Sequence, residues 1–291
     1  MTARLASHPD VAPRTSEMMA RLASAGVDVE FVGNEPGGSG HKDVLDAVDD
    51  GSIDLALVGI GALRDSRAEA LTTVAVFPRQ EPRDVLVTLS GRAMPLHNLP
   101  EGARVGVEGE RRRAFLASHR PDVNAVALQD DVLAALGGIA GSAERVGTDL
   151  DAIITSAMDA RQAGLVDEVV EALDPRAWLP EPGQGAFALL ARHPIAEATA
   201  LDHLPTRTAL RAELALLEAL GVDHRSTLGC LAQPSGRWIR LWAAAAGVGG
   251  HRLVRSDRTG PLDEPEGLGL AVARELEGRG LRLVFDDPIG V

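Results

Sequence analysis

The stretch "GARVGVEGERRRAFLASHRPD", residues 102–122, passes from an apolar run through a glycine into a charged segment. Residues 103–107, which are apolar except for Arg104, have the pattern of a buried strand. The segment after Gly109 has the composition of a helix, and Arg111, Arg112 and Arg113 stand in its first turn. A strand that turns at a glycine into a helix is the repeating unit of α/β folds. This stretch therefore predicts a sheet covered by helices.

Similar runs occur on both sides of this stretch, at residues 27–33, 53–61 and 151–157. The run "IDLALVGIG" at 53–61 is apolar at nearly every position, which is typical of a strand covered on both faces. The segment "HKDVLDAVDDG" at 41–51 has helical spacing and ends at a glycine. We therefore predict an α/β first part with largely parallel strands.

The C-terminal part has a different order of elements and is predicted to be a small α+β module. Its segments are a helix at 206–221 that stops at a glycine, a hairpin at 238–260, a helix at 266–280 and a last strand at 281–287.

Composition limits the function classes. The chain has 291 residues, more than one core usually supports, so two or three domains are expected. The net charge of −13 argues against binding nucleic acid or an anionic membrane, and no apolar run reaches the length of a membrane-spanning helix. The eight histidines show no metal-binding spacing. A single cysteine and an N-terminus unlike a signal peptide favour the cytoplasm.

Two clusters are candidates for anion chemistry. The helix that begins near Arg111 and Arg112 would point backbone N–H groups and guanidinium groups at a carboxylate or phosphate. The alternative is a solvated basic helix start, and the neighbouring glutamates would weaken an anion site. Arg64 and Asp65 lie in "GIGALRDSRAE", a turn after a buried strand, where ligands bind in open α/β folds. Asp65 could be a catalytic acid or counter-ion there, or it could simply cap the next helix.

The third candidate is Cys230, the one cysteine of the chain, in "LGCLAQPSG" at 228–236. The glycines and the proline around it predict a loop between a helix and a strand, where functional residues concentrate. A lone cysteine is also common as a small buried apolar residue.

Five stretches, in order and at compatible spacings, resemble the porphobilinogen deaminase (hydroxymethylbilane synthase) family. They are "FPRQEPRDVLVT" at 77–88, "LPEGARVGVEGERRRAFLASHRPDV" at 99–123, "DAIITSAMDARQAGL" at 151–165, "LPEPGQGAFALLAR" at 179–192 and "RAELALLEALGVDHRSTLGCLAQPSG" at 211–236.

The resemblance implies an α/β fold of three domains, two lobes like those of type II periplasmic binding proteins and a small C-terminal α+β domain. The corresponding segments are 1–92 with 183–205, 98–180, and 207–291. It also implies a monomeric transferase that condenses porphobilinogen, a small pyrrole, onto a covalent dipyrromethane primer to give hydroxymethylbilane.

The resemblance also assigns roles to individual residues. It places the primer on Cys230, carboxylate binding on Arg111, Arg112 and Arg64, and assistance to ammonia loss on Asp65. Several of the family's basic positions hold other residues here, among them Gln129, Ala135 and Gln162. The alternative is therefore a diverged paralogue with altered or lost deaminase activity, acting on another pyrrole or only binding a ligand.

Overall fold

The alternation of strand-like and helical segments produces two compact units. The computed structural model describes residues 2–7, 11–33, 41–64, 68–88, 93–128, 150–222, 226–247 and 249–285. The first unit comprises Met1–Gln80 and Gly183–Thr208. The second comprises Glu81–Pro182 and Ala209–Val291.

Strands and helices alternate along most of the described chain. The strands are β1 (Ala3–Ser7), β2 (Val29–Gly33), β3 (Leu55–Gly59), β4 (Thr72–Val76), β5 (Asp84–Thr88), β6 (Arg104–Val107), β7 (Asn124–Ala127), β8 (Ala152–Ser156), β9 (Val169–Ala172), β10 (Phe187–Ala191), β11 (Leu228–Ser235), β12 (Trp238–Ala246) and β13 (Leu253–Pro261). The helices are α1 (Ala12–Ser24), α2 (His41–Asp49), α3 (Gly109–His119), α4 (Ala157–Gln162), α5 (Ala196–Thr199), α6 (Leu204–Leu220), α7 (Pro265–Gly278) and α8 (Leu281–Phe285).

The first unit is built on a five-stranded sheet of order β2-β1-β3-β10-β4. Strand β1 pairs in parallel with β2 and β3, whereas β10 runs antiparallel to β3 and β4. Strand β10 is the one that the chain reaches on returning from the second unit. Its five residues are all buried, as are the first four of β3, which explains why both strands are apolar without alternation.

The second unit repeats this arrangement in the order β7-β6-β8-β5-β9. Here β6 pairs in parallel with β7 and β8, and β5, the first strand after the chain enters this unit, runs antiparallel to β8 and β9. A separate antiparallel sheet of order β11-β12-β13 completes the unit. The prediction of an α/β chain with largely parallel strands and a smaller α+β module is confirmed.

Two local predictions for the C-terminal module are wrong. Residues 281–285 form the helix α8 rather than a last strand, because Leu281 and Val284, three positions apart, are both buried while Leu283 between them is exposed. Cys230 lies inside the eight-residue strand β11 rather than on a loop. Its neighbours on both sides pair in register with β12, from Leu228 opposite Ala245 to Ser235 opposite Trp238.

The sheet β11-β12-β13 is covered on both faces. Alternate residues of β12 pack on different sides: Ile239, Leu241 and Ala243 join a cluster with helices α6 and α7. Ala244 and Ala246 join a cluster with β6, α3 and the segment around Trp178. Within the part of the chain that is described, no helix is long and apolar enough to cross a membrane.

Candidate functional site

The residues singled out from the sequence fall in both units. Arg64 is the last residue of the 3₁₀ turn Ile60–Arg64, which follows β3 in the first unit. Asp65 lies outside the described residues, as do Gln129 and Ala135. Arg111 and Arg112 lie in the first turn of α3, and Cys230 is the third residue of β11, all in the second unit.

The two arginines of α3 bind one buried carboxylate, that of Asp84 at the start of β5. Asp84 is fully buried, and Arg111 and Arg112 are only 5% and 7% exposed. Nη2 of Arg111 donates to Oδ2 of Asp84 at 2.8 Å. Nη2 and Nε of Arg112 donate to Oδ1 at 3.1 and 3.2 Å. The arginine pair that the sequence offers for an external anion is therefore engaged by an internal one.

The electrostatics of this cluster follow from its burial. Burial by itself raises the pKa of Asp84, but the charges and hydrogen bonds of Arg111 and Arg112 outweigh it and hold that pKa well below its ordinary value. Burial likewise lowers the pKa of Arg112, and the charge of Asp84 reverses the effect and raises it. Asp84 and Arg112 therefore stabilise each other in their charged forms. Glu108, whose Oε2 lies 3.6 Å from Nη1 of Arg112, contributes a further negative charge.

A short segment, residues 178–180, connects this cluster to β11. Nε1 of Trp178 donates to Oδ2 of Asp84 at 2.9 Å, and Nη1 of Arg111 donates to the carbonyl oxygen of Leu179 at 2.7 Å. The carbonyl oxygen of Pro180 accepts the backbone N–H of Cys230 at 3.0 Å. Arg111 and the backbone of β11 therefore both contact this segment.

The edge of β11 that does not pair with β12 is closed by two such contacts. Besides Cys230, whose N–H bonds Pro180, the backbone N–H of Ala232 donates to Oε1 of Glu213 at 2.7 Å. Glu213 belongs to α6 and is fully buried. Because edge N–H groups that lack acceptors are costly when buried, these contacts stabilise the strand in place.

The thiol of Cys230 points away from the segment 178–180. Cys230 is 0% exposed and belongs to the apolar cluster between the sheet and helices α6 and α7. Leu231, the next residue, belongs instead to the cluster that contains Trp178 and Leu179. A strand alternates its side chains between faces, so the side of β11 next to Arg111 is the side that Cys230 does not use.

A family model described as "Porphobilinogen deaminase, dipyromethane cofactor binding domain" matches residues 36–200, more than half of the 291 residues. The chain belongs to the porphobilinogen deaminase family. The porphobilinogen deaminase of Thermobifida fusca (strain YX) is 32% identical over 235 residues, which cover 78% of this chain and 71% of that protein. Those of Roseiflexus castenholzii and Thermus thermophilus are each 34% identical, over 82% and 84% of this chain and 77% and 80% of their own lengths.

Similarity to solved structures is weaker. An ABC transporter periplasmic substrate-binding protein from Coxiella burnetii aligns with 69% of this chain and 90% of its own at a TM-score of 0.44 and 16% identity.

The family match covers one part of the candidate site and omits another. It includes Arg64, Asp65, Asp84 and the two arginines of α3, and it ends before β11. In this family member the arginines and Asp84 form a closed, hydrogen-bonded cluster. Among the described residues, no group of three or more His, Cys, Asp or Glu side chains is placed to hold a metal ion.

Sequence reasoning missed Asp84, Trp178 and Glu213. A signal for Asp84 was present, because it is the charged first residue of β5 and directly precedes the apolar run Val85–Val87 in "RDVLVT". Glu213 lies at helical spacing with Leu210 and Leu217, on the apolar face of α6, which is an unusual position for a carboxyl group. The sequence around Trp178 does not indicate its role, because its hydrogen-bond partner Asp84 lies 94 residues away.

The geometry of β11 does not fit the attachment of a dipyrromethane group at Cys230. The resemblance implies a thioether at this thiol, and a thioether needs space around Sγ for two pyrrole rings. The thiol instead lies in the apolar layer between the sheet and two helices.

Proposed function

We propose that this chain is a transferase of the hydroxymethylbilane synthase type, which condenses porphobilinogen units with loss of ammonia. The observation that carries the proposal is the family match over residues 36–200, supported by curated relatives that are 32–34% identical over about four fifths of the chain. The proposed substrate is therefore a small anionic pyrrole. We further propose that it acts as a monomer in the cytoplasm, without nucleic acid.

We propose that the chain is divided into three domains, formed by residues 1–92 with 183–205, by residues 98–180 and by residues 207–291. Asp65 would assist ammonia loss and stabilise the cationic pyrrole that forms, since a nearby carboxylate stabilises a developing cation. Arg64, directly before Asp65, would bind a substrate carboxylate, since guanidinium groups bind carboxylates strongly.

The role that we propose for Arg111 and Arg112 is limited by Asp84. The two guanidinium groups and the one carboxylate leave one net positive charge in the buried cluster, and the carboxylate of Glu108 lies close enough to reduce it. We therefore propose that the pair adds a modest positive potential at the start of α3 and does not bind a substrate carboxylate strongly.

A specific observation favours a second candidate function, a diverged paralogue with altered or lost deaminase activity. The arginines that should bind carboxylates are committed to Asp84, and the thiol that should hold the primer is buried. A paralogue of this kind would act on a pyrrole that carries fewer carboxylates, or would bind a ligand without reaction.

Release of ammonia distinguishes the two candidates. The purified chain is incubated with porphobilinogen, ammonia is followed with a coupled dehydrogenase assay, and the product is identified by mass spectrometry. The proposed function predicts one ammonia per porphobilinogen consumed and a linear tetrapyrrole as product. Binding of porphobilinogen by calorimetry without ammonia release would support the paralogue instead.

Two variants locate the activity. Asp65→Asn removes the proposed catalytic carboxylate and is expected to lower the rate of ammonia release by about 100-fold or more. The matched control is Asp49→Asn at the exposed end of α2, which removes the same charge in the same unit and should leave the rate unchanged. If both variants release ammonia at the rate of the unmodified chain, Asp65 is not the catalytic carboxylate.

A further inference from the structure

The surroundings of Cys230 are those of a packed core. The cluster that contains it comprises residues of the sheet β11-β12-β13 and of helices α6 and α7, among them Leu216, Ile239, Leu241 and Val272, each 0% exposed. A fully buried residue of this kind is surrounded on all sides by close-packed neighbours. Its thiol has no path to solvent.

Small residues at the level of Cys230 allow this close packing. In the register of the sheet, Cys230 is opposite Ala243, and Ala243 is opposite Ser256 on β13. All three side chains are buried and small, so the helices can lie directly over the sheet.

The two helices are themselves in close contact. A Cβ added at Gly269 of α7 would lie 2.5 Å from the carbonyl oxygen of Ala212 and 2.8 Å from the backbone nitrogen of Leu216, both in α6. A layer in which one methyl group has no room between the helices does not accommodate two pyrrole rings beneath them.

The opposite face of β11 leaves no more room. A Cβ at Gly229 would lie 2.6 Å from the carbonyl oxygen of Leu179, so the strand presses directly on the segment 178–180. The strand cannot rotate Cys230 toward Arg111, because a shift of one residue would exchange every side chain of β11 between its two faces.

The chemistry of the layer is also wrong for such a group. The resemblance implies that each pyrrole unit carries two carboxylates, and burying unpaired carboxylates is very unfavourable. The buried charged residue that reaches β11 in this layer is Glu213, itself a carboxyl group, which bonds the N–H of Ala232.

We infer that Cys230 is a core-packing residue of the third sheet, and that this chain holds no pyrrole through a thioether. Because Cys230 is the one cysteine of the sequence, no other thiol can take that role. Any pyrrole that this chain binds would therefore be held without a thioether bond. This inference goes beyond the proposed function, and it holds whether or not the chain condenses porphobilinogen.

The first test is the intact mass of the full chain, purified from cells that produce ample porphobilinogen. The expected mass is that of the bare polypeptide. A mass increased by two pyrrole units in the unmodified chain, and lost in Cys230→Ala, would overturn the inference. An adduct that persists in Cys230→Ala would support it, because the attachment would then lie elsewhere.

The second test measures access to the thiol and needs no pyrrole. The matched control is Gln233→Cys in the Cys230→Ala background, which puts a thiol on an exposed position of the same strand. With Ellman's reagent, Cys230 is expected to react at least about 100-fold more slowly than this control in the folded protein, and as fast after unfolding in urea. Equal rates in the folded proteins would contradict the inference.

The two proposals fail in different ways. If the unmodified chain releases no ammonia, has the mass of the bare polypeptide and reacts slowly with Ellman's reagent at Cys230, the proposed function is refuted and the inference stands. Ammonia release with a pyrrole adduct on Cys230 would do the reverse.

Discussion

Replacing Asp84 with asparagine tests whether an internal carboxylate holds the arginine pair of α3. The change preserves the shape of the side chain and removes its charge. It leaves Arg111 and Arg112, which are 5% and 7% exposed, facing a neutral amide. The expected result is a large loss of stability in the second unit, because two guanidinium groups stay buried without their counter-ion.

The contacts of Asp84 set the size of the effect. Removal of one partner of a buried ion pair costs about 3–5 kcal/mol. Oδ2 of Asp84 accepts from both Arg111 and Trp178, and Oδ1 accepts twice from Arg112. An asparagine has one acceptor oxygen, so its NH₂ group would face N–H donors, either those of Arg111 and Trp178 or those of Arg112. The donors on that side would lose their acceptor. We therefore expect a loss of about 4 kcal/mol or more in the free energy of unfolding.

The assay is urea unfolding at pH 7, followed by circular dichroism and by tryptophan fluorescence, which includes the buried Trp178. The matched control is Asp174→Asn, whose ion pair with Arg176 at 3.1 Å joins side chains that are 50% and 73% exposed. The control should lose less than about 1 kcal/mol. If Asp84→Asn loses no more free energy of unfolding than Asp174→Asn, the carboxylate of Asp84 does not hold the arginine pair.

The same variant predicts a pH dependence. The pKa of Asp84 in the folded chain lies below its ordinary value of 3.8, because the neighbouring arginines outweigh the effect of burial. Its contribution to stability is therefore fully present above the ordinary value and is lost as the pH falls below it. The stability difference between the unmodified chain and Asp84→Asn should be constant from about pH 7 to 5 and should shrink below about pH 4. A difference that persists undiminished in acid would contradict this linkage.

Two further predictions concern the third sheet, and both use the same urea titration. Glu213→Ala should cost about 1–3 kcal/mol, because the N–H of Ala232 loses its acceptor, and Glu213→Gln should cost less because its amide oxygen can still accept; equal losses would count against the hydrogen bond. Gly269→Ala should cost about 1–3 kcal/mol, because its methyl group would lie 2.5 Å from the carbonyl oxygen of Ala212. Gly278→Ala, which meets nothing within 4 Å, should cost no more than about 0.5 kcal/mol; similar losses for both glycines would argue against the close helix contact.

Much of the fold could be predicted from local patterns. The runs at 53–61 and 151–157 became the buried strands β3 and β8, and the helix expected at 206–221 became α6 with its end at Leu220. The prediction of a last strand at 281–287 was wrong, because a short apolar run fits a strand or a helix equally well. Only the packing of Leu281 and Val284 on the core shows that the segment is a helix.

The candidate site was less predictable, because its contacts join distant parts of the chain. Arg111 and Arg112 are prominent in the sequence, but the residue that binds them, Asp84, lies 27 and 28 positions earlier. Charge alone marks an arginine pair as a site for any anion. Only the packing of β5 against α3 shows that the anion is supplied by the chain itself.

The sequence by itself determined the order of strands and helices, the limits on function class and membership of a family, because periodicity, glycine stops and ordered motifs are local properties. The tertiary structure alone decided what Cys230 does. Strand β11 is covered on both faces, so its sequence "LGCLAQPS" is apolar on both sides and does not show which face the thiol occupies. Pairing with β12 and the contact with residues 178–180 decide this, and they turn Cys230 toward helices α6 and α7.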